Sequence, residues 1–173
     1  MLLLKFVRGM FEVRGYTEIE EFPPTPDNIV MRAKMGVEPT SPPILVFYDG
    51  EVKLSTKSVR NVVITMKAKG VKHCIVINDE VTSKARQISN EILDCHMEFF
   101  ERNEFLYNPC DNHLVPRHDL YLQCSDPKAA KFRAKYKMPI LLLTDPITRF
   151  YGFQAGDIIK VSRPDGIAFR IVK

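Results

Sequence analysis

The sequence predicts an α/β (α+β) fold in two parts, a strand–helix–strand unit followed by a small mixed sheet. Three observations carry this expectation. Apolar strand patterns at 44–48 and 73–78 flank a helical pattern, which is the signature of a βαβ crossover with parallel strands. The tail closes in two alternating segments joined by "PDG" at 164–166, which reads as a hairpin. Between them the charge changes sign: residues 1–112 hold 14 Lys and Arg against 16 Asp and Glu, whereas residues 113–173 hold 11 against 5. The irregular run "NPCDNH" coincides with that change, so the parts are expected at 1–110 and 111–173, within the size range of one domain or two small ones.

In order along the chain, Leu3, Phe6, Val7, Met10 and Phe11 recur at helical spacing and predict a first amphipathic helix. The proline-rich stretch from Glu21 to Pro43 predicts turns and extended loop, because proline supplies no backbone donor. "ILVFYDG" predicts a buried strand ending in an Asp-Gly turn, with "EVKLS" as its hairpin partner. "SVRNVVITMKAKG" predicts a helix capped by Ser58, with Val59, Val62, Val63 and Met66 inward and Gly70 at its end. "HCIVIND" predicts a second buried strand. "VTSKARQISNEILDC" predicts a helix capped by Thr82 or Ser83 that turns Ala85, Ile88, Ile92 and Leu93 inward, and "HMEFF" and "EFLYN" predict short strands.

In the second part, "HLVPRHDLYL" predicts an extended segment interrupted by Pro116, and "SDPKAAKFRAKYK" a helix capped by Ser125 or Asp126 with Pro127 in its first turn. Ala130, Phe132 and Tyr136 are its packing residues. "MPILLLT" predicts a short buried strand. Asp145 and Pro146 start one or two helical turns that Gly152 ends in a left-handed cap. Helices that short do not persist alone, so this one must be held by packing. Beyond Gly156, Ile159 and Val161 share one strand face, and Ile167, Phe169 and Ile171 alternate in the next, predicting a hairpin with one apolar and one basic face. Arg149, Lys160, Arg163 and Arg170 come from this hairpin and its supporting helix.

Composition excludes some classes. The formal charge of +4 and the ordinary apolar content fit a folded protein. Lys5, Arg8, Glu12 and Arg14 interrupt the Leu-rich opening before a secretory core accumulates, and no run approaches the ~20 apolar residues of a membrane span. An intracellular protein free of the bilayer is expected. Cys74, Cys95, Cys110 and Cys124 lack regular spacing, which reads as free thiols in a reducing compartment. A basic part of 61 residues hides only about 60% of its unfolded surface and gains stability by docking on something larger and acidic.

Several stretches together resemble a known family. "HLVPRH", "DPITRFYGFQAGDIIKVSRP" and the closing "FRIV" are similar to signatures of the fifth subunit shared by eukaryotic nuclear RNA polymerases, whose C-terminal domain corresponds to a small subunit of the archaeal polymerase. Upstream, "VRNVVITMKAKGVKHCIVINDEVTSKARQ" resembles the family's crossover helix, strand and jaw loop, with Thr82, Ala85, Arg86 and Gln87 on its positions. Ser83 and Lys84 stand where the family has Pro and Ser, and the linker before Asp145 and the turn after Pro164 are shorter. The small two-domain form suggests a divergent eukaryote or a large DNA virus.

The resemblance implies a non-catalytic subunit with no cofactor and no metal. It implies a C-terminal assembly domain anchored on the largest polymerase subunit and touching others, through His113, Leu114, Val115, Pro116, His118, Asp145, Pro146, Arg149, Gly152, Gly156, Lys160, Arg163, Pro164 and Arg170. It implies an N-terminal domain in the lower jaw, with Thr82, Ser83, Lys84 and Arg86 near downstream double-stranded DNA that is held weakly and without sequence readout. No homo-oligomer is expected. The location would be the nucleus for a cellular protein, and a cytoplasmic viral factory or the virion for a viral one.

The same residue types allow other chemistries. Asp27, Glu51 and Lys53 fit a Pro-Asp, Glu-x-Lys nuclease pattern, in which carboxylates hold Mg²⁺, but they fall in loop and turn where adjoining core strands are needed. Cys110, His113, His118 and Cys124 are of suitable kinds for zinc at unsuitable spacing. Cys95 and His96 are adjacent, and neighbours in a chain point apart more often than together. Lys57, Arg60, Lys67, Lys69 and Lys72 lie on or beside one helix and read as a solvated face, with a DNA path as the sharper alternative.

Overall fold

The computed structural model describes residues 2–23, 28–35, 42–48, 50, 52–92 and 94–173. The chain forms two compact units, Met1–Leu106 and Tyr107–Lys173. Both mix helices with sheet, as the patterning predicts.

The first unit is built on a five-stranded sheet in the order β1-β2-β3-β5-β7, from β1 (Tyr16–Glu21), β2 (Ile29–Met35), β3 (Ile44–Tyr48), β5 (His73–Asn78) and β7 (His96–Glu101). β3, β5 and β7 run parallel, whereas β1 and β2 are antiparallel to their neighbours. Helix α2 (Thr56–Ala68) makes the first crossover and α3 (Ser83–Glu91) the second. The helix stripe Val59, Val62 and Met66 meets Leu45, Phe47, Cys74, Val76 and Phe99 in one core. Ile44, Val46, Ile75 and Ile77 alternate with these strand residues and are equally buried. They therefore belong to the opposite face, the side on which α1 (Leu2–Val13) presents its fully buried Val7, Met10 and Phe11.

Four expectations are corrected here. The stretch read as loop contains β2, because its prolines flank residues 29–35 and none interrupts them. "EVKLS" does not pair with β3: β4 (Lys53–Leu54) pairs in parallel with β6 (Glu80–Val81), since β3 already has β2 and β5 on its two edges. Ser55, not Ser58, caps α2, accepting from the Ser58 amide at 3.1 Å, while Gly70 takes the left-handed φ of 64° as predicted. "EFLYN" is not a strand, since Arg102–Phe105 is a 3₁₀ turn. Leu93 lies outside the described residues.

The second unit is a four-stranded mixed sheet in the order β8-β10-β11-β9, from β8 (Arg117–Leu122), β9 (Ile140–Leu141), β10 (Ile158–Arg163) and β11 (Gly166–Val172). Helix α4 (Pro127–Lys135) is capped by Asp126, and α5 (Pro146–Tyr151) precedes the hairpin. Ile159, Val161, Val172, Leu141 and Phe153 make the core of one sheet face. On the other, Phe169 meets Phe132 of α4 and Tyr121, with ring centroids 5.3 and 4.9 Å apart.

That arrangement overturns the hairpin with one apolar and one basic face. Ile159 pairs with Arg170 and Val161 with Ala168, while Lys160 pairs with Phe169. Paired residues share a face, so each face carries both kinds. Ala129, not Ala130, is the buried alanine of α4, and Tyr136 is exposed. In "MPILLLT" only Leu141 is buried; Ile140, Leu142 and Leu143 are exposed because β9 is an edge strand. Among the described residues, no helix is long and apolar enough to cross a membrane.

Candidate functional site

The second unit gathers most of the residues singled out in its sequence. Asp145 caps α5 by accepting from the Ile147 amide at 2.8 Å, Pro146 opens the helix, and Gly152 closes it at φ 70°. Its buried Ile147 and Phe150 supply the packing that six helical residues need. Tyr151 stacks on Phe153 at 5.0 Å and carries α5 onto the sheet core.

Beyond the helix, Asp157 organises the backbone. This buried carboxylate accepts from the Cys124 amide through Oδ1 and from the Gln154 amide through Oδ2, both at 2.8 Å. Gly156 sits beside it at φ +89°, and its carbonyl accepts from Arg133 Nη1 at 2.8 Å. A Cβ there would lie 3.0 Å from the Cys124 Cβ, so the position requires glycine twice over, for its dihedral and for its closeness to β8's end. Asp157 and Arg133 were not singled out from sequence, and Cys124 only as a thiol and candidate zinc ligand, although an Asp directly after a Gly and before an apolar strand marks where a buried turn needs a cap.

His118 is the meeting point of the motif. It is buried on β8, opposite Val161, and its Nδ1 lies 2.7 Å from the Pro116 carbonyl oxygen. Burial pulls its pKa below the ordinary histidine value, the Pro116 bond and Asp145 oppose this, and Arg170 and Arg163 add to the lowering. Three residues distant in sequence, with Pro116 two positions away, thus influence one imidazole. Arg163 is exposed, beside the two-residue turn Pro164–Asp165, and Arg170 and Lys160 are half-buried within the sheet. Arg149 is half-buried on α5. His113 and Leu114 are exposed, and Val115 and Pro116 half-buried, ahead of β8.

The same unit exposes apolar side chains. Leu114, Leu142 and Ile167 are 76%, 58% and 61% exposed, and Ile140, Leu143 and Tyr136 are exposed as well. Exposed apolar groups interspersed with arginine are the composition of a protein-binding surface. The four candidate zinc ligands do not converge: Cys110 bonds Tyr151, His118 faces Pro116, and the only group of three or more such side chains close enough to share an ion among the described residues is elsewhere, in the first unit.

In the first unit, Thr82 caps α3. Its Oγ1 accepts from the Ala85 amide and donates to the Leu54 carbonyl, both at 3.2 Å, which ties the start of α3 to β4. Ser83 and Lys84 are exposed in the first turn that follows, and the Arg86 guanidinium lies 6.0 Å from the Phe99 ring centroid. The helix start therefore presents Lys84 outward and holds Arg86 against the sheet. Asp27 and Glu51 lie outside the described residues. Lys53 is exposed and paired with Glu80 at 3.2 Å, so nothing here favours a nuclease centre. Cys95 packs toward the α2 and α3 core whereas His96 rings against His73, so that adjacent pair points apart. On α2, Lys57, Arg60 and Lys67 are exposed.

Residues 107–173 match the family described as RNA polymerase Rpb5, C-terminal domain. Over this part the chain is Rpb5-like. A relative from Invertebrate iridescent virus 6, provisionally named DNA-directed RNA polymerase subunit 454R, is 25% identical over 98% of this chain and 97% of its own. The Dictyostelium discoideum subunit rpabc1 of DNA-directed RNA polymerases I, II and III is 27% identical over 84% of this chain and 77% of its own. The Caenorhabditis elegans RPABC1 is 25% identical over 75% of this chain, which spans 63% of that protein. The Rpb5-like match starts at Tyr107, where the second compact unit starts.

Proposed function

We propose that this chain is a non-catalytic subunit of a multisubunit DNA-directed RNA polymerase. The C-terminal unit anchors it on the largest subunit, and the N-terminal unit stands in the lower jaw beside downstream duplex DNA. The observation that carries this reading is the Rpb5 match over residues 107–173, joined to a viral relative that aligns over nearly the whole chain.

The surface supports docking. Arg163, Arg170, Lys160 and Arg149 offer donors to partner carboxylates and carbonyls, and exposed Leu114, Leu142 and Ile167 offer apolar area to bury. Pro116, Asp145, Pro146, Gly152, Gly156 and Pro164 shape the backbone under that surface, and His113, Val115 and His118 sit at its start. In the jaw, exposed Lys84 attracts phosphate without reading bases, with Thr82 and Ser83 fixing the helix start and Arg86 behind it. Phosphodiester chemistry belongs to the large subunits. A cellular copy works in the nucleus, and a viral copy in a cytoplasmic factory or the virion.

Affinity purification of the tagged chain from the cells that make it tests the reading. Stoichiometric recovery of the two largest polymerase subunits is expected, and their absence after gentle lysis would remove it. Arg163→Glu and Arg149→Ala should lower incorporation with little change in circular dichroism. Lys84→Glu should leave incorporation intact and reduce crosslinking to downstream DNA.

A further inference from the structure

The side of the first unit that carries α1 holds a cluster that none of this uses. His73 and His96 are direct partners in the parallel β5–β7 ladder, and Glu98 follows two residues along β7, on the same side. The ligand atoms of all three lie within 4.8 Å of one another, and His73 Nε2 is only 2.8 Å from Glu98 Oε1. The imidazole rings are 4.6 Å apart by centroid.

We propose that His73, His96 and Glu98 form a binding site for one zinc ion, with water completing a tetrahedron. Two imidazoles and one carboxylate suit zinc and its borderline neighbours; hard cations such as Mg²⁺ and Ca²⁺ prefer an all-oxygen shell. Zinc bonds of about 2.1 Å place tetrahedral ligand atoms about 3.4 Å apart. His73 is half-exposed and His96 exposed, so both rings have room to turn toward that spacing. The ion takes the place of the hydrogen bond between Nε2 and Oε1, and His73 ligates as a neutral ring whose one proton sits on Nδ1.

Arg14 is the obvious competitor, since Nη1 and Nη2 donate to Glu98 Oε1 and Oε2. The pair leaves room for both roles. The Nη2–Oε2 bond persists while Oε1 turns to the ion, and Arg14 becomes the outer partner that orients the ligating carboxylate. Glu98 is ionised at neutral pH: burial raises its pKa, but hydrogen bonds from His73 and Arg14 outweigh this and bring it to about 2. Although His96 is exposed, partial desolvation of its ring and the neighbouring His73 lower its pKa, which favours the neutral imidazole that offers a nitrogen lone pair.

Cobalt(II) titration of the purified full chain decides this, independently of polymerase assembly. Expected is saturation at one ion per chain with the intense visible bands of tetrahedral cobalt, their displacement by zinc, and a rise in unfolding temperature with added zinc. His96→Gln and His73→Gln, each checked for native circular dichroism, should abolish the bands, whereas His113→Gln should keep them. Bands that survive both deletions, charge-transfer absorption from cysteine thiolate, or no saturable uptake would each overturn the proposal.

Discussion

Arg14 and Glu98 form a two-pronged ion pair, Nη1 on Oε1 at 2.9 Å and Nη2 on Oε2 at 2.8 Å, joining the residue that follows α1 to the edge strand β7. Both side chains are largely buried, at 5% and 15% exposure. Arg14→Met leaves a buried carboxylate without its main counter-charge and should cost about 3–5 kcal/mol in urea unfolding. Arg14→Met/Glu98→Met should recover much of that loss, because an apolar pair needs no compensation. A single-variant cost below about 1 kcal/mol would place the pair with ordinary surface bridges.

Gly156→Ala should destabilise the second unit by about 1–3 kcal/mol, since alanine there must hold a left-handed φ and press on Cys124. Gly9→Ala is the control: its Cβ meets nothing within 4 Å, and it lies on helix α1. A neutral or stabilising effect of about 0.5–1 kcal/mol is expected there.

Asp157→Ala removes two bonds from a carboxylate to backbone amides and leaves the amides of Cys124 and Gln154 without that acceptor. A loss of about 3 kcal/mol is expected. Hydrogen exchange gives the specific readout: those two amides should lose protection more than the amides of β11.

Acid should weaken the second unit through His118. Its pKa is lowered on folding, so the neutral form is the native one. The stabilisation from that form is present above the unfolded pKa of about 6.5 and is lost as pH falls through and below it. Asp145 opposes that lowering, whereas Arg170 and Arg163 add to it. His118→Asn should flatten the difference in guanidinium midpoint between pH 7.5 and 5.5; an unchanged difference would assign the acid response to other groups.

What could be read from the chain alone depended on whether a signal was local. Val59, Val62, Val63 and Met66 repeat on one helix face, and Asp145, Pro146 and Gly152 mark the two ends of α5; both sets lie where their patterns place them. The loop expectation failed at β2 because proline density was averaged over a stretch whose interior, Ile29–Met35, contains none. The two-faced hairpin failed for a subtler reason. Alternation within a strand fixes which residues share a side, but only the register between β10 and β11 says that Ile159 stands beside Arg170. The Arg14, His73, His96 and Glu98 cluster had no local signal at all, since its members come from the end of a helix and two strands brought together by a crossover. The polymerase signature residues were legible as a motif, yet the buried acceptor beneath them, Asp157, had no reading of its own.

The order of strands in the second sheet has a kinetic consequence. β9 touches only β11, which is synthesised later than the other three strands and then lies between β10 and β9. Until it inserts, Ile140, Leu141, Leu142 and Leu143 have no sheet to join. A nascent or unfolding chain therefore displays a continuous sticky tetrapeptide, which a chaperone or a waiting partner must shield.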